Sequence, residues 1–158
     1  MDALSRLRWS EAGFNLVEMM VALMIIGVLT SIAIPIYLGA VERADDVAAR
    51  ASLHTAQVAG RQIAQDAPDY TAASVDALEE VEPSIQWVDA ADPSLGPTVV
   101  SRDVVAGKLL LAAYSPTGTC FFLRDDPEGE VGRASLVGVE RVDCTAENAI
   151  TMVFEPTW

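Results

Sequence analysis

From Met19 to Val41 the chain runs for roughly 23 residues without a charged side chain, MMVALMIIGVLTSIAIPIYLGAV. As an α-helix, rising 1.5 Å per residue, such a run extends about 35 Å, enough to cross the hydrocarbon core of a bilayer. The apolar region of a secretory signal is only about 7–15 residues long, and no A-x-A-like cleavage site follows this one. The run therefore predicts a retained membrane span. Most of the chain's apolar excess, 51% hydrophobic residues and a mean hydropathy of +0.30, sits here. What remains of the 158 residues has the composition of one acidic globular domain.

Charge narrows the function. There are 23 acids against 10 bases, a net charge of −13, and Lys108 is the single lysine beside the arginines. Nucleic-acid binders neutralise phosphates with clustered Lys and Arg, and the sequence has no such cluster, so no specific nucleic-acid binding is expected. Acidity of this kind suits solubility outside the cell. His54 is the only histidine, and Cys120 and Cys144 form no CxxC pair. A zinc site needs three or four ligands and a nucleophile–base arrangement needs a positioned base. Catalytic residues, metals and cofactors are therefore not expected.

Glu18 stands just inside the start of the apolar run. An ionisable group there is costly unless paired, and it marks a functional position; the simpler alternative is an interfacial side chain reaching toward headgroups. Gly27 and Pro35 bracket the deep part of the span. Glycine weakens a helix by about 1 kcal/mol, and proline removes a donor and kinks it, although both are frequent in membrane helices.

Gly13-Phe14-Asn15-Leu16-Val17-Glu18, followed by the long apolar helix, resembles the processing and methylation motif of type IV pilins and of the pseudopilins of type II secretion. The resemblance continues through Gly27 and Ile34-Pro35-Ile36-Tyr37 and covers about the first quarter of the mature chain. Asn15 stands where the family usually has Thr. The likeness implies that residues 1–13 are a leader, that a prepilin peptidase cuts between Gly13 and Phe14, and that the same enzyme methylates the Phe14 amine. That amine, with an unperturbed pKa near 7.7–8.0, is largely cationic at neutral pH. Glu18, four residues along, lies on the same helical face. The family picture pairs Glu18 with the N-terminus of a neighbouring subunit and melts the helix locally between Gly27 and Pro35 on filament packing. The implied partners are other pilin subunits, prepilin peptidase, the inner membrane and the pilus assembly platform. The implied location is a single-pass membrane protein that becomes an extracellular surface filament.

Beyond Gly39 the apolar run gives way to helical spacing of small residues. Val41, Ala44, Ala48, Ala51, Thr55 and Val58 predict a narrow packing stripe. One helix is expected from Phe14 to Gln65, roughly 75–80 Å long, with a membrane or filament-core half over 14–41 and an amphipathic half over 42–66. Residues 67–158 form the headgroup. Asp66–Thr71 ends the helix, and Ser74 or Thr71 caps a short second one that Pro83 stops. Thr98–Val105, Lys108–Tyr114 and Thr119–Arg124 are predicted strands, and Ala149–Phe154 a fourth. Short turns favour an antiparallel meander, so the expected fold is α+β, a long helix packed on a small antiparallel sheet, pilin-like. Asp125–Gly132 is an acidic loop, a solvated turn or, as in some major pseudopilins, a calcium site. In an exported domain Cys120 and Cys144 are expected to form a disulfide, as many pilins pin their C-terminal region, with two free buried thiols as the alternative.

The leading function is a structural subunit of a type IV pilus-like filament. A pseudopilin of a type II secretion system shares the same motif. A single-span, membrane-anchored extracellular binding domain is the alternative of another class, and it predicts no cut after Gly13. An electron-conducting filament lacks support, because Phe14 and Tyr37 are the only aromatics on the membrane half.

Overall fold

The computed structural model describes residues 15–158; the expected leader 1–13 and Phe14 lie outside the described residues. Contacts divide the chain into two units, Met1–Gly39 and Ala40–Trp158. Helix α1 spans Leu16–Ile63. At its start the Asn15 carbonyl accepts from the Glu18 and Met19 amides at 2.9 and 3.2 Å, and its side-chain Oδ1 accepts from the Val17 amide at 3.3 Å. An asparagine does here what N-cap residues do, satisfying donors that the first turn leaves open. A 3-10 turn, Ala64–Asp66, and Pro68 close the helix.

The packing face of α1 differs from the predicted stripe. Ala49, Leu53, Ala56, Gln57, Ala59 and Gly60 are buried, whereas Val41, Ala44, Ala51 and Val58 are exposed. The observed face is turned by one position, about 100°, because alanines occupy nearly every register of this segment and only Leu53 has the bulk to choose one. The helix lies close to the sheet at Gly60, where a Cβ would come within 2.5 Å of Leu109 Cδ2.

Five strands form one sheet in sequence order: β1 (Gln86–Val88), β2 (Val99–Val105), β3 (Lys108–Ser115), β4 (Thr119–Asp125) and β5 (Val131–Val137). From β2 to β5 the neighbours are antiparallel, as expected for β2 to β4, while β5 lies where the sequence predicts no strand. The sheet is nevertheless mixed, because β1 pairs with β2 in parallel; residues 89–98 are long enough to carry the chain back to the starting end. Helix α2, Val75–Val81, precedes β1, with the Ser74 side chain accepting from the Ala77 amide at 3.2 Å. The predicted fourth strand at Ala149–Phe154 is not one. Glu147–Thr151 is a 3-10 turn, and beyond it only Glu155 bridges to Arg133.

That segment has another task, covering the second face of the sheet. One core lies between the sheet and α1 and α2, built from Leu53, Leu78, Val100, Leu109, Leu111, Phe121 and Leu123. On the other face Leu110, Ala112, Cys120 and Phe122 pack against Cys144, Ala149, Met152 and Phe154. Burial on both faces explains why β3 reads as an uninterrupted apolar run, since alternation is lost when neither side meets water.

Polar groups fasten α1 at two heights. Asp46 accepts from the hydroxyls of Ser115 and Thr117 at 2.6 and 2.7 Å, gripping the β3–β4 turn. Near the C-terminal end, Arg61 Nε and Nη2 donate to Asp125 at 2.6 and 2.7 Å, and Tyr70 Oη donates to the same carboxylate at 2.6 Å. Asp125 is wholly buried, while about half of the Arg61 side chain faces solvent. Removing the arginine leaves the carboxylate buried with a single neutral donor, so Arg61→Ala is expected to cost roughly 3 kcal/mol, read as a lowered denaturant midpoint of the purified protein in detergent.

Burial, and next its hydrogen bond to Asp125, push the Tyr70 phenol up to about 12. A folded-state value above the unfolded value of about 10 makes a contribution that is complete below that pH and lost as pH rises toward 12. Tyrosinate absorbance should show one of the three tyrosines ionising late, with the denaturant midpoint falling across the same interval.

Candidate functional site

The surface that stands out is the N-terminal part of α1. From Leu16 to Leu38 the large apolar side chains are between 49% and 73% exposed, in an unbroken series. Water-soluble monomers do not display apolar surface on this scale; it marks a membrane or protein contact. The helix is long and apolar enough to cross a membrane, and the most apolar part of it is unburied.

Polar groups within this stretch are satisfied locally. The Thr30 hydroxyl donates to the Ile26 carbonyl at 2.7 Å, and the Ser31 hydroxyl donates to Val28 at 2.7 Å. Bonding back to the preceding turn lets hydroxyls enter an apolar medium without an orphaned donor. Pro35 follows one turn later and offers no amide to the Ser31 carbonyl. The segment from Gly27 to Pro35 is helical in the single chain, and a Cβ at Gly27 would meet open space. Among the described residues nothing packs against Gly27.

Glu18 occupies the first turn of α1, where a negative charge complements the helix dipole. Its side chain is exposed and has no ion-pair partner among the described residues. Gly13 and Phe14, the expected cleavage and methylation positions, lie outside the described residues.

Cys120 on β4 and Cys144 form a disulfide with Cα atoms 5.5 Å apart and a sequence separation of 24. It ties the segment over the second sheet face to the central hairpin, at the base of the Cys120–Phe122 cluster. The expected acidic loop is shorter than its sequence. Asp125 belongs to β4, and Val131 and Gly132 to β5, leaving Asp126–Glu130 as a tight turn. Asp126 pairs with Lys108, and among the described residues no group of three or more His, Cys, Asp or Glu side chains is arranged to hold a metal ion.

The Arg61–Asp125–Tyr70 cluster escaped the sequence reading, although one signal was there: a carboxylate closing the apolar run Cys-Phe-Phe-Leu-Arg-Asp. No protein-family model, curated protein or solved structure matches the chain. Replacing both cysteines, Cys120→Ala with Cys144→Ala, is expected to lower stability by about 3–4 kcal/mol through the loop they close; denaturant titration of the oxidised protein against the variant measures it.

Proposed function

We propose that the chain is a structural subunit of a type IV pilus-like surface filament. In this reading a prepilin peptidase removes residues 1–13, the Phe14 amine is methylated, and subunits leave the membrane by packing their apolar helices together. The observation that carries the proposal is the uninterrupted exposure of Leu16–Leu38 beneath a single carboxylate, Glu18. An apolar helix of this length is stable in lipid or among copies of itself, and a polymer exchanges the one environment for the other at little hydrophobic cost.

Glu18 gives the exchange its register. In an apolar filament core an unpaired carboxylate costs several kcal/mol, and a cationic Phe14 amine from the next subunit offsets that cost only where the two groups meet. The self-sufficient core of Ala40–Trp158, closed by a disulfide, suits a headgroup exposed outside the cell. The role in this reading is structural.

Mass spectrometry of the N-terminus in sheared surface material tests this reading directly. A terminus at methylated Phe14 is the expected result; an intact Met1 confined to membranes would return the chain to a membrane-anchored binding domain. Glu18→Ala should leave membrane insertion unchanged and remove most of the subunit from sheared filaments, as an immunoblot of both fractions would show.

A further inference from the structure

A groove of about 320 Å³ opens between α1, β4, β5 and the C-terminal segment. Arg50 and His54, one turn apart on α1, form one wall, Arg133 of β5 another, Leu123 lies between them, and Thr157 and Trp158 close the end. Three side chains able to carry positive charge thus converge in a protein of net charge −13. None of them has a carboxylate at ion-pair distance among the described residues.

Two of the three are held ready. The Arg50 guanidinium lies over the Phe121 ring, 5.0 Å from its centroid, and the Trp158 ring meets Phe121 edge-on at 5.2 Å. Arg50 Nε is buried and has no hydrogen-bond partner among the described residues. Arg133 donates through Nη1 to the Pro156 carbonyl, leaving the rest of its fork open. A guanidinium fixed by stacking or by a backbone bond loses little further freedom when it takes a carboxylate.

The chain also carries a shape that fits. In the turn between β4 and β5 the Gly129 amide donates to the Asp126 carbonyl at 2.8 Å, the Asp126 amide to the Glu130 carbonyl at 2.9 Å, and the Glu128 amide to Asp126 Oδ1 at 3.2 Å. Gly129, at φ 96°, takes the left-handed position that closes it. Lys108 neutralises Asp126, and Glu128 and Glu130 are exposed at the turn, with no ion-pair partner among the described residues.

We propose that this groove holds the acidic turn Asp126–Glu130 of a second copy of the chain, with Glu128 and Glu130 against Arg50, His54 and Arg133. The turn adjoins Asp125, which is bonded to Arg61, whereas the groove is level with His54, seven positions earlier on α1. Seven residues of helix span about 10 Å, so the second copy is displaced along α1 by about two turns. Between copies whose α1 helices run parallel, the contact of turn with groove is heterologous and propagates along a row. Individually exposed ion pairs are weak, but repetition along a row of linked copies multiplies them.

A photo-crosslinking benzoylphenylalanine at Thr157, in the full-length chain expressed in membranes, tests the contact. Differently tagged copies should yield a crosslinked dimer whose junction maps to residues 126–130 of the second copy. Glu128→Arg with Glu130→Arg should abolish most of that product, and adding His54→Glu with Arg133→Glu should restore it. No dimer, a junction elsewhere, a link to lipid or to another protein, or a product indifferent to the charge reversals would overturn the proposal. The experiment needs only two copies in one membrane, so its outcome is independent of whether residues 1–13 are removed.

Discussion

The contact on which the headgroup depends is the close approach of α1 to the sheet. Small residues permit it: Ala49, Ala56 and Gly60 let the helix backbone settle onto Leu109, Leu111 and Phe121, with Leu53 as the one large anchor. Dispersion and burial provide most of the attraction but little direction. Direction comes from the polar fastenings, Asp46 on the β3–β4 turn and Arg61 on Asp125. Together they fix both the rotation of the helix and its height against the strands. A buried ion pair adds less stability than its Coulomb energy suggests; its value here lies in excluding other registers of an alanine-rich helix.

The same constraint separates what the sequence disclosed from what it hid. Features set by local chemistry were legible: the extent of α1, the Ser74 cap, the hairpins of β2 to β4 and the Cys120–Cys144 bridge. Features decided by tertiary partners were not. Alanine spacing could not reveal which face of α1 turns inward, because several faces are equally small. Strand β5 was disguised by Gly132, Arg133 and Ser135, yet Gly132 is there for a packing reason, since a Cβ would lie 2.7 Å from Phe154 Cβ. Ala149–Phe154 has strand composition but covers a sheet face, and β1 is too short to carry a period. Of the candidate site, Glu18, Gly27 and Pro35 could be marked because each breaks an apolar pattern. The cation groove could not, since its residues come from three distant parts of the chain.

Helix α1 changes composition along its length. Over Leu16–Leu38 large apolar side chains predominate and are exposed. Over Ala49–Gly60 the sheet selects size at each turn. Thr30 and Ser31 show how the first part stays apolar in effect, since their hydroxyls return to the helix's own carbonyls. Glu18 is the exception, an exposed charge with no ion-pair partner among the described residues.

Charge on the headgroup follows the same logic at the surface. A protein of net charge −13 repels its own copies, so any lateral contact has to bring unlike groups together. The acidic turn and the cationic groove are unlike, and they sit at different heights along α1. Parallel copies related by a shift can satisfy both at once, each offering its turn to one neighbour and its groove to another. A heterologous contact of this kind leaves an unfilled groove at one end of every row and an unclaimed turn at the other. In the proposed filament this contact would carry the same polarity as the proposed pairing of Glu18 with the next N-terminus.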